Sequence, residues 1–338
     1  MKVFQIQDDW SIDNITLAER PEPSPAAGEV LIKMKAASLN FRDLVVPKRG
    51  YGALTGTLPI IPLADGAGEI AAVGDGVSRF AVGDRVCPMF MQKWIAGEAS
   101  KERLTNTLGG PLDGTMAEYM VLHEQGVAKA PENLSYEEAS TLPCAALTAW
   151  SALVTEGNLK AGDKVLVQGT GGVSLFALQF AKMLGAYVIV TSSSDEKLQR
   201  ALDLGADDGI NYRKDPEWGR TAKKMVGGDG VDHVVEVGGT KTLPQSLRAI
   251  RFGATISMIG VLSGGDMSGA LGLIVTRQVR LQGVTVGHRD SFEAMVKAVE
   301  RHSLKPVIDR TYPFEELRDA LDYLASGAHF GKICLRHP

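Results

Sequence analysis

The sequence has very little cysteine: Cys87, Cys144 and Cys334 stand far apart and are odd in number. That excludes a disulfide framework and any C-x-x-C metal or redox motif, and it points to a reducing compartment. Runs of basic residues are also missing. With 36 basic against 40 acidic residues and a formal net charge of -4, the chain lacks the electrostatic footprint that nucleic-acid binding needs. No window of about 18 residues is continuously apolar, so no spanning helix, and no membrane association, is expected. The stretch Met1 to Asp9 has no basic region followed by an apolar one, so no secretory leader is expected and the reading is cytoplasmic.

What is present suits two globular domains. The 338 residues, 44% hydrophobic and 22% charged, are enough for two cores. The texture changes near Ala130 and Pro131. Before that point, short alternating runs such as Glu29-Val-Leu-Ile-Lys-Met-Lys35 and Gly68-Glu-Ile-Ala-Ala-Val73 are separated by Gly, Pro and Asp, the pattern of short strands joined by tight turns. A β-rich, barrel-like domain is expected there. After it, buried strands (Lys164–Gln168, Tyr187–Thr191, Val231–Glu236, Ala254–Ile259, Leu281–Val286) alternate with helical stretches at Leu175–Leu184 and Lys197–Leu204. That rhythm predicts a parallel sheet with right-handed crossovers, a doubly wound α/β domain. The last fifty residues predict helices at Ser291–Arg301 and Phe314–Ala325, an extended Lys305–Asp309 and a final strand over Lys332–Leu335. They are too few for a domain and are expected to pack on the β-rich half. The expected domains are therefore 1–130 with 289–338, and 131–288.

The strand Lys164–Gln168 runs into Gly169-Thr-Gly-Gly-Val-Ser174 and then an apolar helix, the setting of a dinucleotide fingerprint. Gly169 permits the tight turn, and Gly171 lets a pyrophosphate approach the backbone. The N–H groups of Thr170, Gly172 and Val173 and the positive end of the helix dipole then receive that anion. Ser174 stands where a third glycine is usual. At the end of the next strand an NAD-selective site places an acid on the ribose hydroxyls; here the stretch is Thr191-Ser-Ser-Ser194. Ser192, Ser193 and Lys197 can instead bind a 2′-phosphate, so NADP(H) is expected over NAD(H). Asp195 complicates this reading and is placed to cap the following helix, and Lys197 has the alternative of a solvated helix position.

These motifs resemble the zinc-independent medium-chain dehydrogenase/reductases, of the quinone oxidoreductase branch. The resemblance spans essentially the whole chain: Ala36-Ala-Ser-Leu-Asn-Phe-Arg-Asp43, Pro62-Leu-Ala-Asp-Gly-Ala-Gly68, Val73 to Val86, Leu142-Pro-Cys-Ala-Ala-Leu-Thr-Ala-Trp150, the glycine loop, Leu204-Gly-Ala-Asp207 with Ile210-Asn-Tyr212, and His329-Phe-Gly-Lys332. It implies a Rossmann-type doubly wound parallel sheet plus a β-rich GroES-like barrel domain, and a homodimer paired along the last strand of the nucleotide sheet. Zinc-dependent members of that family carry Cys at the position of Asn40 and Gly-His-Glu at Leu63-Ala64-Asp65, and no cluster of four cysteines follows Val86. No zinc is therefore expected at either site.

The same resemblance puts the substrate near Asn40, Asp43 and Tyr51. Asn40 would donate to a carbonyl oxygen, and Tyr51 would donate from its phenol or stack on a flat substrate. Asp43 has the competing role of a buried carboxylate that pairs with Arg42 or holds a loop, Tyr51 that of a packing anchor, and Asp65 that of ordering its loop. Around the cofactor the resemblance implies Thr148, Tyr212, Gly238, Gly260, Val286, Gly287 and Lys332. His288 is expected to be structural rather than an acid, and His233 a core histidine. Without a metal to polarise an isolated ketone, conjugated acceptors such as quinones and α,β-unsaturated carbonyls are the expected small-molecule substrates. Two rivals stay open: an NADPH-dependent aldehyde or ketone reductase, and a non-catalytic NADPH-binding protein. The segment 90–110 is expected to shape the substrate entrance.

Overall fold

Alternating apolar residues bounded by turn formers give the first half its strands: β1 (Lys2–Ile6), β2 (Ile15–Glu19), β3 (Glu29–Ser38), β4 (Asp65–Val73), β5 (Arg85–Pro88), β6 (Tyr119–His123) and β7 (Val127–Lys129). The computed structural model describes residues 1–266 and 271–338. The second half supplies β8 (Lys164–Gln168), β9 (Tyr187–Ser192), β10 (Asp208–Asn211), β11 (Val231–Glu236), β12 (Ile250–Met258) and β13 (Arg280–Gly283). The tail adds β14 (Ile308–Pro313) and β15 (Lys332–Arg336). Two compact units result: Met1–Leu147 with Gly287–Pro338, and Thr148–Val286.

In the first unit β3 is the hub. It pairs with β4, β6 and β15 in a sheet ordered β14-β15-β3-β4-β5-β7, with β1 and β2 forming a separate antiparallel pair. The core gathers Val3, Phe4, Leu63, Met116, Phe314, Leu321 and Leu335. Register matters here for chemistry: Ser38 lies opposite Asp65, and Cys334 opposite Ser38. The end of β3 therefore meets the beginnings of β4 and β15, which brings Ser38, Asp65 and Lys332 together. The segment 131–147, expected in the second domain, packs on the first, because helix Tyr136–Ser140 lies against β3 and β4. That helix starts with a reciprocal pair, Glu138 N–H to Ser135 Oγ (3.1 Å) and Ser135 N–H to Glu138 Oε2 (2.8 Å).

The second unit holds a parallel sheet ordered β10-β9-β8-β11-β12-β13, the doubly wound order whose direction reverses between β8 and β11. Its strands are apolar on both faces, with Val165, Leu166, Val167, Val234 and Val235 fully buried. Several boundaries differ from expectation for identifiable reasons. β10 went unpredicted because Ile210 is its only buried residue. The last strand stops at Gly283, before Val286, whose φ of +61° is not extended. The tail strand starts at Ile308, beyond Pro306, which has no N–H to offer a ladder. The final helix is a tight turn at Phe314–Glu316 followed by Leu317–Ser326, closed by Gly327 at φ +66°. Among the described residues no helix is long and apolar enough to cross a membrane.

Candidate active site

In the second unit the strand β8 ends in a left-handed turn at Gly169 (φ +73°), whose N–H bonds Thr191 O at 2.7 Å. Gly171 then caps helix Gly172–Met183 without any side-chain bond, leaving the N–H groups of the first turn without intrahelical acceptors. A Cβ added at Gly171 would meet no protein atom within 4 Å, so the space above it is open to a ligand. Thr170 is buried, while Gly172 and Val173 are half-buried. Ser174 does more than tolerate close packing: its Oγ donates to Gln168 O at 2.7 Å, tying the helix to the strand.

The β9–β10 pairing sets Asn211 opposite Ser192, and Tyr212 N–H donates to Ser192 O at 3.1 Å. Ser192, Ser193 and Tyr212 thus share the carboxyl end of the sheet. Helix Asp195–Asp203 is capped by Ser194, which accepts from Lys197 N–H, not by Asp195 as its sequence position suggested. The Asp195 carboxylate turns away to Lys214 Nζ and Asn211 Nδ2, and these contacts hold its pKa below the usual carboxylate range. Lys197 is half-buried beside this serine run.

Gly238 and Gly260 sit past the carboxyl ends of β11 and β12. Each is required by the protein's own atoms: a Cβ at Gly238 would fall 2.2 Å from Thr242 Oγ1, and one at Gly260 2.3 Å from Val237 O. Glu236, which sequence reasoning passed over, organises this loop. Fully buried, its carboxylate accepts from Gln168 Nε2, Ser246 Oγ, Thr242 Oγ1 and the N–H groups of Gly238 and Gly239. An acid at a strand end directly before Val-Gly-Gly was the available signal. Thr148 is buried in the helical turn Leu147–Trp150, which is flanked by π-helical turns at Leu142–Ala146 and Ser151–Thr155. Val286 is a β-branched residue held at positive φ, a backbone strain characteristic of functional sites. Gly287 follows it as the first residue of the tail.

In the first unit the polar residues converge. Lys332, which the resemblance placed toward the cofactor, is 3% exposed, and its Nζ donates to Leu39 O (2.6 Å) and Asn40 Oδ1 (2.7 Å) and lies 3.5 Å from Asp65 Oδ2. Asn40 Nδ2 donates to the same Asp65 oxygen at 2.8 Å, and Ser38 Oγ reaches it at 3.4 Å. Asp43 is buried and accepts the Asn40 backbone N–H at 2.7 Å, so it holds the loop rather than pairing with Arg42. Arg42 donates instead to Leu108 O and Gly110 O, with its guanidinium over the Phe90 and Tyr51 rings. Tyr51 itself is 46% exposed. Burial pushes the Asp43 carboxyl up to about 6 against the pull of Arg42, and it raises Asp65 against the Lys332 ammonium. Burial also raises the Tyr51 phenol, opposed by Arg42, so the phenol keeps its proton at neutral pH.

Two histidines are structural. His288 caps helix Arg289–Arg301 by accepting Ser291 N–H at Nδ1 (3.1 Å), and His233 is buried 3.2 Å from Asp163.

The architecture has close counterparts. Residues 26–132 match the alcohol dehydrogenase GroES-like domain and residues 172–301 the zinc-binding dehydrogenase domain. A zinc-type alcohol dehydrogenase-like protein of Schizosaccharomyces pombe is 47% identical over 91% of each chain. This chain belongs to the medium-chain, zinc-type alcohol dehydrogenase-like family. It is an oxidoreductase of a family that binds a nicotinamide cofactor and acts on small molecules. A solved candidate alcohol dehydrogenase of Sinorhizobium meliloti superposes on this family member with TM-score 0.94 at 45% identity, covering 99% of this chain and 98% of that one. A structure described as an NAD-dependent alcohol dehydrogenase gives TM-score 0.90 at 34% identity, covering 99% of each. Human quinone oxidoreductase, the branch the motifs suggested, is more distant at 29% identity over 90% of this chain and 88% of its own. An acryloyl-coenzyme A reductase of Metallosphaera sedula is 30% identical over 94% and 95%.

The family description implies zinc, but the residues of this dehydrogenase-like chain do not fit it. Ala64 offers no donor atom, and the Asn40 carbonyl oxygen faces an ammonium. Asp65 Oδ2 is already bonded by Asn40 and Ser38. Cys144 is a single thiol, raised to about 12 by burial, and the four cysteines of a structural zinc site are not in the sequence. Among the described residues no group of three or more His, Cys, Asp or Glu is placed to hold a metal ion.

Proposed function

We propose that this family member is a metal-independent, NADPH-dependent reductase that transfers a hydride to a conjugated carbonyl or a quinone. The observation that carries the reading is Asn40, an amide donor backed by a buried ammonium, at the position where the family resemblance puts the cysteine of zinc-dependent members. Hydride addition puts negative charge on the acceptor oxygen, and a conjugated acceptor spreads that charge. A hydrogen-bond donor then suffices where an isolated ketone needs a Lewis acid. The bound cofactor supplies the hydride. The chain's own residues do the rest: Gly169, Thr170, Gly171, Gly172 and Val173 receive the pyrophosphate, and Thr148, Gly238, Gly260, Val286 and Gly287 line the remaining cofactor contacts. Asn40 donates to the oxygen, and Asp43 fixes the backbone that carries it.

Ser192, Ser193, Lys197 and Tyr212 form the 2′-phosphate site. Support comes from the uncharged ends of β9 and β10 and from Lys214, which pairs with the carboxylate of Asp195. In a competition titration NADPH is expected to bind tighter than NADH; the reverse order sinks this part of the reading. A panel of quinones, enones and simple aldehydes tests the substrate class, with NADPH oxidation expected for the first two.

A second reading, reduction of simple aldehydes or ketones, is favoured by the exposed, protonated Tyr51 phenol beside Arg42. It predicts aldehyde turnover that Tyr51→Phe abolishes, whereas enone reduction should survive that change.

A further inference from the structure

We propose that Lys332 is the positioning residue for the substrate-facing amide of Asn40: its ammonium, paired with Asp65, fixes the amide so that one N–H is left for the acceptor oxygen. This rests on the reading of Asn40 as the donor to the acceptor oxygen. The two ends of the amide are held by groups of opposite character. Oδ1 receives Lys332 Nζ at 2.7 Å, and Nδ2 gives one hydrogen to Asp65 Oδ2 at 2.8 Å. A flipped amide would set N–H against an ammonium and oxygen against a carboxylate, so only one orientation is satisfied.

The count of donors then defines what is left. An amide nitrogen carries two hydrogens and Asp65 takes one, so one N–H of the half-buried Asn40 remains. The ammonium on Oδ1 draws electron density through the conjugated amide, which strengthens that remaining N–H as a donor. Lys332 is itself locked. Leu39 O and Asn40 Oδ1 accept from it, Asp65 balances it at 3.5 Å, and at 3% exposure it is shielded from water. The partners of the Lys332 amine, Leu39, Asn40 and Asp65, all belong to the first unit.

The test is a double-mutant cycle on the full-length protein, with Asn40→Ala, Lys332→Met and both together. It reads kcat and KM for an enone or quinone at saturating NADPH, and Kd for NADPH by fluorescence. Each single change is expected to lower kcat by about 10- to 100-fold with the NADPH Kd little changed, and the double variant to be no slower than the slower single. If Lys332→Met does not fold, Lys332→Met with Asp65→Asn removes the buried lone charge, and the same loss of kcat is expected. Losses that multiply, or a Lys332 variant that raises the NADPH Kd at unchanged kcat, would overturn the proposal and return the lysine to the cofactor. Unchanged kcat in Asn40→Ala would instead remove the underlying reading of Asn40.

Discussion

Single residues carry the sharpest expectations. Two buried groups titrate in opposite senses. Asp43 is raised by burial to about 6, so its stabilising contribution is complete below its unfolded value near 4 and is lost as pH rises through 6. His337, whose Nε2 lies 3.0 Å from Thr115 O, is lowered by burial to about 4; its contribution is complete above 6.5 and is lost as pH falls. At about 1.4 kcal/mol per unit each effect is worth about 3 kcal/mol at most. Denaturant unfolding between pH 4 and 7 should therefore show Asp43→Asn gaining on the wild type as pH rises and His337→Gln losing ground; parallel curves would contradict burial as the cause. Gly171 gives a second test at this scale. Its open Cβ position predicts that Gly171→Ala keeps the melting temperature nearly unchanged but weakens NADPH binding about tenfold or more, because the methyl occupies ligand space. Gly260→Ala should fail in the opposite way, by unfolding. The glycine loop was legible in the sequence because a strand, its glycines and an apolar helix mark it, whereas Asn40 was singled out by the family resemblance. The partners of Lys332 were not legible, since Ser38, Asp65 and Lys332 meet only through strand register.

At the scale of elements, hydrophobic period located the nucleotide strands β8 and β9 well, because their centres are short runs of buried apolar residues, whereas β12 starts at Ile250 and not at the expected Ala254, its half-buried Arg251 and exposed Phe252 and Gly253 hiding the start. It missed β10, whose backbone ladder to β9 and not its side chains makes it a strand. Helix starts were displaced for a similar reason. Helix Gly172–Met183 begins in glycine, which carries no apolar signal, and helix Asp195–Asp203 begins in two acids ahead of Lys197, whose N–H Ser194 caps. The junction from β11 to helix Leu243–Ala249 depends on Glu236. Glu236→Ala would take from the Ser246 hydroxyl and the Gly239 N–H the carboxylate that accepts from them, and from Gln168, Thr242 and the Gly238 N–H one of two acceptors. A loss of about 3 kcal/mol or more by denaturant titration is expected, together with weaker cofactor binding; a neutral result would show that water replaces the carboxylate at no cost.

For the whole molecule, β13 is the edge of the nucleotide sheet, and apolar Val261, Leu262, Leu271 and Val275 are exposed in the segments leading to it. An unpaired edge beside exposed apolar side chains suits pairing with a second copy across a two-fold axis. Light scattering is expected to give twice the chain mass, and a monomer at micromolar concentration would remove this proposal. The fold of both units was readable from texture alone. Family membership needed the ordered motifs, and the chain proved nearer to zinc-type alcohol dehydrogenase-like relatives than to quinone oxidoreductase. That makes metal the central question, because the family description says zinc while Asn40, Asp65 and Lys332 bond one another as amide, carboxylate and ammonium. The most direct measurement is elemental analysis of purified protein alongside its rate of NADPH oxidation with an enone or quinone, before and after a strong chelator. The account predicts zinc far below one per chain and an unchanged rate; stoichiometric zinc, with activity lost to the chelator and restored by zinc, would contradict it.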